Sequence, residues 1–436
     1  MGRTFELLRH ERVARAYYAV LAQSALGNGA GYIALLVVAY ERLNSAWAIS
    51  LVLLADLVPA MLLGPVFGAA ADRWSRRGCL VLADVARAIA FLTIAFADSF
   101  EATFALAILA GVGTGLFTPA SLAAVPSLVK PERLPSATAL YGAITDLGFI
   151  AGPALAALLL LVGGPEVILL GNAATFAISA LLLTRLRFGE APAHEVVDGA
   201  RPGLIREARD GLRALGRMAG VRTVVVASGA MLLFAGLFNV SELPFATDEL
   251  DVGDAGFAAL TAIYGIGFVG GSLSGSRGGA PAALKRRFLG GLALVGAGFV
   301  ACAVAPGFAT AIPAFALAGV GNGLMLVYER LLIQTTVPDA LMARVFGAKD
   351  GLTAWSFGAA FLAAGGLIEA FGVRTVLLIA GIGGLVVWAV AAVALRHAWE
   401  EADPDSPVEA GSSWRLRRRS EGSERRPERH GLRRWS

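Results

Sequence analysis

Isolated acidic side chains interrupt long apolar stretches of this chain. Asp56 and Asp146 each lie within a run of apolar residues, and Glu329 lies within another, beside Arg330. A charge inside a bilayer is costly, so such residues mark functional sites by default. A carboxyl group there can take up and release a proton, which makes Asp56, Asp146 and Glu329 candidates for proton coupling. For Asp56 a structural, hydrogen-bonded role fits the sequence equally well.

Two pairs of opposite charge also fall within apolar runs. Asp84 and Arg87 are three residues apart, and Glu329 precedes Arg330 directly. Residues three apart face each other on a helix, so we interpret Asp84 and Arg87 as a structural ion pair.

Uncharged polar side chains are spread over the same apolar runs. Such groups suit a pocket for a bulky, amphipathic organic molecule that can be cationic, although each could instead form a hydrogen bond between helices. The candidate pocket residues, with the charged ones included, are Gln23, Asn28, Asp56, Tyr141, Asn239, Tyr264, Asn322, Glu329 and Arg330.

The composition is that of an integral membrane protein. The 436 residues are 56% hydrophobic and 16% charged, whereas a soluble domain has about a quarter of its residues charged. A membrane-spanning helix needs about 20 apolar residues. That rule predicts an all-α protein with twelve spans, near 16–39, 46–71, 79–97, 102–128, 137–161, 166–184, 223–240, 257–275, 288–305, 310–333, 351–369 and 374–395.

Lys and Arg predict the orientation of these spans. With both termini inside, the six external connectors hold only Arg42 and Arg374, and the cytoplasmic segments hold 33 of the 37 basic residues. This asymmetry is the positive-inside pattern. The external loop after the seventh span is acidic instead, and we assign to it Glu242, Asp248, Glu249, Asp251 and Asp254.

The spans divide the chain into five parts. We expect a cytoplasmic N-terminus (1–15), two six-helix bundles (16–184 and 223–395), a cytoplasmic linker (185–222) and a disordered basic tail (396–436). In the linker, apolar and basic residues of 204–218 alternate at helical spacing, which predicts a helix lying on anionic inner-leaflet lipid. The tail is polar and basic and is expected to seek the same lipid rather than nucleic acid.

The two predicted bundles repeat in sequence. LAGVGTGL at 109–116 matches LAGVGNGL at 317–324, GPALAALL from Gly152 corresponds to GAAFLAAG from Gly358, and Gly64 and Gly68 align with Gly267 and Gly271. A unit of six spans places both copies in the membrane the same way up, which predicts parallel repeats around a site near the midplane.

The hairpin between spans two and three carries a recognisable signature. The sequence GAAADRWSRR, from Gly68 to Arg77, resembles the loop 2–3 motif of the major facilitator superfamily, except that Ser75 replaces the usual glycine. The resemblance, which covers about residues 10–396, implies that the motif latches the two halves together in the outward-open state. On that basis Asp72 would sit at the N-terminus of span eleven, near Lys349–Gly351, where the helix dipole favours an anion. The latch residues are Gly68, Asp72, Arg73, Arg76 and Arg77; the alternative is that the arginines only mark the membrane edge.

Span five adds a second motif. Gly148, Gly152 and Pro153 resemble part of the signature of drug/proton antiporters in the same superfamily. Glycines four apart permit close helix packing, and the proline bends the helix. The stretches PERLPSATALYGAITDLG and PDALMARVFGAKDGL resemble the branch that holds macrolide efflux proteins and enterobactin exporters.

The sequence thus predicts a monomeric transporter of the cell membrane that exports a hydrophobic or amphipathic small molecule by proton antiport, and needs no cofactor. It lacks a GxxxxGK[ST] motif, so ATP is not expected to drive it. Two cysteines are too few for a metal site, and all four histidines lie outside the spans. The sequence therefore offers no metal cluster and no catalytic triad, and we do not expect an enzyme. The alternatives are a lysophospholipid transporter or uniporter, and a non-transporting receptor or scaffold.

Overall fold

Twelve long helices make up the membrane region. The computed structural model describes residues 11–73, 75–186, 213 and 215–399, and in that part of the chain the helices are 19 to 33 residues long and no strand occurs. Their bounds are α1 Arg12–Leu43, α2 Ala46–Arg73, α3 Arg76–Ile94, α4 Phe100–Ala124, α5 Leu134–Leu160, α6 Pro165–Arg185, α7 Ala219–Pro244, α8 Gly253–Leu273, α9 Pro281–Val304, α10 Phe308–Thr336, α11 Asp339–Phe371 and α12 Val373–Ala394. The prediction of an all-α membrane protein is confirmed.

The helix α3 differs from the other eleven in its charge. Those eleven are long and apolar enough to cross a membrane, whereas α3 carries Arg76 and Arg77 in its first turn and Asp84 and Arg87 farther along. The side chains of Asp84 and Arg87 are buried in the protein, so their charges do not meet lipid.

Short polar residues set several helix ends. Asn44 adopts the left-handed conformation after α1, with φ of 48°, and its N–H donates to the carbonyl oxygen of Tyr40. Ser75 and Ser99 cap α3 and α4, since their hydroxyls accept hydrogen bonds from the backbone N–H three residues later. Such caps satisfy groups that a helix leaves unpaired, and they fix the tight connections α1–α2, α2–α3 and α3–α4.

The two halves pack in the same pattern. In the first half α2 packs on α4, α1 packs on α5 and α6, and α3 packs on α4 and α6. In the second half α8 packs on α10, α7 packs on α11 and α12, and α9 packs on α10 and α12. Adding six to each helix number converts the first set into the second. Between the halves, α5 packs on α8 and α2 packs on α11. The same shift by six helices converts one of these contacts into the other, as parallel repeats require.

The repeated octapeptides make equivalent helix contacts in both halves. A methyl group added at Gly111 would meet the backbone of α2, and one added at Gly319 would meet the backbone of α8. Likewise, Gly113 faces α3 and Gly321 faces α9. Small residues at such contacts let helices approach closely, so the sequence repeat reflects equivalent packing of α4 and α10.

The end of the bundle predicted to be external is closed by contacts between the halves. A ring atom of Trp47 on α2 lies only 2.8 Å from the position that a Cβ at Gly365 of α11 would take. Three hydrogen bonds cross between the halves there: Tyr40 to Asp248, Ser45 to Glu369, and the N–H of Gly365 to Ser50 Oγ at 3.0 Å.

Most of the predicted linker helix and the tail from 400 onward lie outside the described residues. Within the described part of the linker, Leu215 is buried against Val221 and Ile333 of the second half, so this member of the apolar face contacts protein. The bundle also extends past residue 396: the ammonium group of Lys285 donates to the carbonyl oxygens of Leu395 and Ala398 at 3.0 and 2.7 Å. A cation at the C-terminus of α12 matches the helix dipole.

Candidate functional site

A cavity of about 510 Å³ lies between the halves. Helices α1, α2 and α5 line it from one half, and α7, α8, α10 and α11 from the other. Six residues singled out in the sequence lie in its wall: Asp56, Asp146, Pro153, Asn239, Tyr264 and Asn322.

The wall is largely apolar and aromatic, with a few polar groups. Tyr32 and Phe268 contribute rings, as do Phe357 and Phe361 on α11. Asp56 on α2 is exposed to this space, and the described ion pairs do not include it. An apolar chamber with a small number of polar groups is the usual form of a site for an organic molecule.

Asp146 connects the cavity to a cleft at the end predicted to be cytoplasmic. This cleft has a volume of about 840 Å³ and lies between the first half of α5 and Arg330 of α10. Asp146 lines both spaces. The two spaces therefore adjoin at Asp146, on the side of the bundle predicted to be cytoplasmic, whereas Trp47 and Gly365 close the opposite end.

Three predicted pocket residues lie elsewhere. Gln23 donates to the carbonyl oxygen of Thr175 at 3.0 Å and so links α1 to α6. Asn28 and Tyr141 line a separate space of about 150 Å³ inside the first half, next to Arg87. These three residues therefore fit the alternative given above, in which polar side chains bond and pack between helices of one half rather than line the pocket.

Glu329 also lies outside the cavity. It is fully buried on α10, and its nearest cation is the ammonium group of Lys349 on α11, at 3.9 Å. The neighbouring Arg330 faces the cytoplasmic cleft, so the two adjacent residues do not pair with each other in the described structure. Glu329 is thus buried beside Lys349 and does not face the central cavity.

Asp84 and Arg87 form the expected ion pair on α3. Ser179 of α6 donates to the second carboxylate oxygen of Asp84 at 2.5 Å. The guanidinium group of Arg87 lies 4.2 Å from the ring centroids of both Phe117 and Phe176. Hydrogen bonds and cation–π contacts of this kind stabilise a buried pair, which ties α3 to α4 and α6.

Glu242 was misplaced by the sequence prediction. We assigned it to the external acidic loop, but α7 continues to Pro244 and a π-helical turn follows to Glu249. Glu242 is 7% exposed, lines the central cavity and accepts a hydrogen bond of 3.1 Å from Thr261 Oγ1. One signal was available: Asn239 and Glu242 are three apart and share a helix face.

The glycines of α5 pack against α1. A Cβ at Gly148 would lie 2.7 Å from the backbone oxygen of Ala25, and one at Gly152 would lie 2.5 Å from the backbone of Gly29. Only glycine fits such a contact. These glycines therefore bring α5 against α1, while Pro153 faces the cavity.

The charged hairpin joins α2 to α3. Gly68, Asp72 and Arg73 lie in the last turns of α2, and the side chains of Asp72 and Arg73 lie outside what the structure describes. The helix end expected beside Asp72 is not at Lys349–Gly351, because α11 begins at Asp339 and these residues lie inside it. In the first turn of α3, Arg77 donates to the carbonyl oxygen of Thr184 at 3.3 Å, and Arg76 is partly buried. The departure at Ser75 has a structural use, because its hydroxyl caps α3 through the N–H of Gly78.

Comparison with known proteins places the chain in a family. Residues 19–361 match the model of the Major Facilitator Superfamily. The transporter YfiS of Bacillus subtilis is 26% identical over 86% of this chain and 91% of its own length. The multidrug efflux pump Tap of Mycobacterium tuberculosis is 26% identical over 88% of this chain and 95% of its own. Macrolide efflux protein A of Streptococcus pyogenes is 27% identical over 44% of this chain and 48% of its own.

Solved structures share the fold. The nucleoside transporter NupG aligns with a TM-score of 0.68 at 16% identity, over 88% of this chain and 99% of its own. A bacterial homologue of the lysosomal transporter Spinster, crystallised facing inward, aligns with a TM-score of 0.67 at 15% identity, over 88% and 96%. At 15–16% identity these structures show that the fold is shared, while the match to a family of transporters bears out the expectation that the chain is not an enzyme. With twelve helices in two equivalent halves around one central cavity, the chain belongs to the Major Facilitator Superfamily.

Proposed function

We propose that this transporter exports a hydrophobic or amphipathic small molecule in exchange for protons. The observation that supports this most directly is the central cavity, which both halves line and which is closed at the outer end. A site shared by two halves becomes accessible from either side when the halves rock about it. Tap and macrolide efflux protein A, to which the chain is similar, are named as efflux proteins.

Proton exchange is assigned to carboxyl groups that face this cavity. Asp56 and Asp146 line it and lie on different helices of the first half. A carboxyl group in an apolar chamber costs less when protonated or when paired with a cation. A proton and a substrate can therefore replace each other there, which is the requirement for antiport. Glu329, which lies outside the cavity and 3.9 Å from the ammonium group of Lys349, contributes to this exchange less directly.

The same proposal includes the placement of the protein. Both termini lie in the cytoplasm, the protein spans the cell membrane as a monomer, and the proton gradient supplies the energy without a cofactor. Basic residues of the linker and tail bind anionic lipid of the inner leaflet. The arginine asymmetry of the connectors supports this orientation.

Efflux from cells that lack their major pumps tests the proposal. A panel of fluorescent amphipathic compounds is loaded, and extrusion is followed with and without a protonophore. We expect the wild type to extrude compounds, and we expect this extrusion to be lost when the protonophore collapses the proton gradient. We also expect it to be lost in Asp56→Asn. Asp98→Asn is the matched control, because Asp98 is exposed in the connector between α3 and α4 and should leave export unchanged.

Two results would contradict the proposal. Extrusion that persists after collapse of the gradient excludes proton antiport. If no compound is extruded and phospholipid analogues are moved instead, the alternative of a lipid transporter replaces it.

A further inference from the structure

We infer that Glu242 is the carboxylate with which the second half holds the positive charge of the substrate, and that lipophilic organic monocations are the substrate class. This inference rests on the proposed function, because it names the chemistry of what is exported. It begins from the position of Glu242, which the sequence had placed in a loop and the structure places in the cavity wall.

Glu242 has an incomplete set of partners. Its carboxylate accepts a hydrogen bond of 3.1 Å from Thr261 Oγ1, and this hydroxyl is shared with the carbonyl oxygen of Phe257. Among the described residues no salt bridge includes Glu242. A carboxylate that is 7% exposed and lacks a cation is costly. A ligand that brings a positive charge removes that cost.

The other buried acids of the described bundle differ in this respect. Asp84 is paired with Arg87 on α3, and Glu329 lies 3.9 Å from the ammonium group of Lys349. Both acids therefore have a basic side chain of their own half within 4 Å, although the carboxylate oxygens of Glu329 accept no hydrogen bond. Glu242 faces the space between the halves without such a partner, which is where a ligand binds.

The groups around Glu242 are acidic or neutral. The titratable side chains that face it are Tyr32 on α1, Asp56 on α2, Asp146 on α5, Tyr264 on α8 and Cys302 on α9. None of them carries a positive charge. At the outer end, Arg374 is bound to Glu249 and to the carbonyl oxygens of Ala303 and Ala305. Among the described residues, the lining of the central cavity thus holds three carboxyl groups and no basic side chain, and the nearest basic residues, Arg330 in the adjoining cleft and Arg87 inside the first half, lie beside Asp146 and Asp56 instead.

The remaining wall suits the body of a lipophilic cation. Tyr32, Tyr264, Phe357 and Phe361 present aromatic rings to the chamber. Aromatic faces attract cations, most strongly where water is excluded, and they bury apolar groups at the same time. A chamber of about 510 Å³ is within the size range of sites for drug-sized molecules.

Thr261 acts as a positioning residue. Its hydroxyl bridges α8 to Glu242 of α7 at the cavity wall, so it fixes the carboxylate toward the cavity. Its removal should weaken cation binding less than removal of the charge does.

The inference is tested by the binding of two ions that carry the same four phenyl groups but opposite charges. The probes are tetraphenylphosphonium and tetraphenylborate, added to the purified full-length protein in detergent. We expect the wild type to prefer the phosphonium and to release protons into weakly buffered medium as it binds, since cation and proton compete for the carboxyl groups. Glu242→Gln should weaken phosphonium binding at least about tenfold, which corresponds to about 1.4 kcal/mol, and should release fewer protons.

Three further variants sharpen the test. Glu242→Asp keeps the charge and should bind the phosphonium more tightly than Glu242→Gln. Thr261→Val should give an intermediate loss with proton release retained. Glu166→Gln is the matched control, because Glu166 is exposed in the first turn of α6, away from the cavity, and should bind as the wild type does.

The outcomes separate this inference from the proposed function. Equal affinity for the two probes in the wild type, or unchanged phosphonium binding in Glu242→Gln, overturns the inference even if neutral compounds are exported. Selective phosphonium binding that depends on Glu242, in a protein that extrudes nothing from cells, supports the inference about the site and overturns export. If Glu242→Gln does not fold, the probe preference and proton release of the wild type, together with Glu242→Asp, still decide.

Discussion

Replacing Gly365 with alanine should open the outer end of the transporter. Gly365 lies on α11 where this helix crosses α2 of the other half. A Cβ at this position would lie 2.8 Å from a ring carbon of Trp47, 3.0 Å from the Cα of Trp47 and 3.1 Å from Ser50 Oγ. Ordinary contacts begin at about 3.4 Å, and two of these three distances involve the backbone or the base of a packed ring. The halves must therefore separate at this end.

The size of the effect follows from the packing. Inserting a methylene into a filled contact costs typically about 1–3 kcal/mol. The cost applies only while the outer end is closed, because the contact between the halves exists only then. A difference of that size changes the ratio of two conformations by about 5- to 150-fold. Within the helix itself, alanine is favoured over glycine by about 0.5–1 kcal/mol, so the substitution does not weaken α11.

Spin labels can measure this opening directly. Leu43 at the end of α1 and Phe371 at the end of α11 are exposed and lie at the outer ends of different halves. With Leu43→Cys and Phe371→Cys labelled in a cysteine-free protein, double electron–electron resonance should show a longer distance that gains population in Gly365→Ala. Gly358→Ala on the same helix is the control, since a Cβ there meets no atom within 4 Å. Identical distance distributions for the two alanine variants would refute the reasoning.

Two further predictions concern charged residues of the first half. Asp72→Asn should abolish transport while the protein inserts at normal abundance, because the family resemblance makes Asp72 the anion of the latch; normal flux in this variant would mean that the hairpin only marks the membrane edge. Arg87→Met should lower the free energy of unfolding by about 3–5 kcal/mol, since Asp84 is left buried without its cation. Thermal unfolding in detergent should show that adding Asp84→Asn recovers much of this loss, and no recovery would mean that Arg87 acts through its aromatic contacts instead.

The architecture could be predicted because membranes restrict what a chain can do. Backbone groups in lipid must be paired within helices, so long apolar runs give helices and connectors give hairpins. The parallel repeat could be recognised from the matching octapeptides at 109–116 and 317–324. They match because α4 and α10 need glycine at the same positions to lie close to their neighbouring helices. The prediction for Gly148 and Gly152 has the same basis, because both lie against α1.

The pocket was harder to predict, because polarity in a span does not reveal which way a side chain faces. Gln23 and Asn239 are both amides in apolar helices, yet Gln23 bonds to α6 while Asn239 lines the cavity. Which face of a helix meets the other half depends on its rotation, and this is set by packing along its whole length. Glu242 was missed for a related reason: the apolar run of α7 ends near residue 240, while the helix itself continues to Pro244.

The scaffold is symmetric, but the acids that face its centre are not. Asp56 lies on α2 and Glu242 on α7, helices that the repeat does not relate to each other. Because the two carboxylates belong to different halves, their separation changes whenever the halves rock. A cation held by both therefore favours the conformations in which they are close, whereas two protons neutralise them and remove that preference. A ligand shifts a conformational equilibrium only through such a difference in affinity. In the proposed antiport, charge placed on both sides of the interface would thus let substrate and proton act oppositely on the same movement, which a pair of acids within one half could not do.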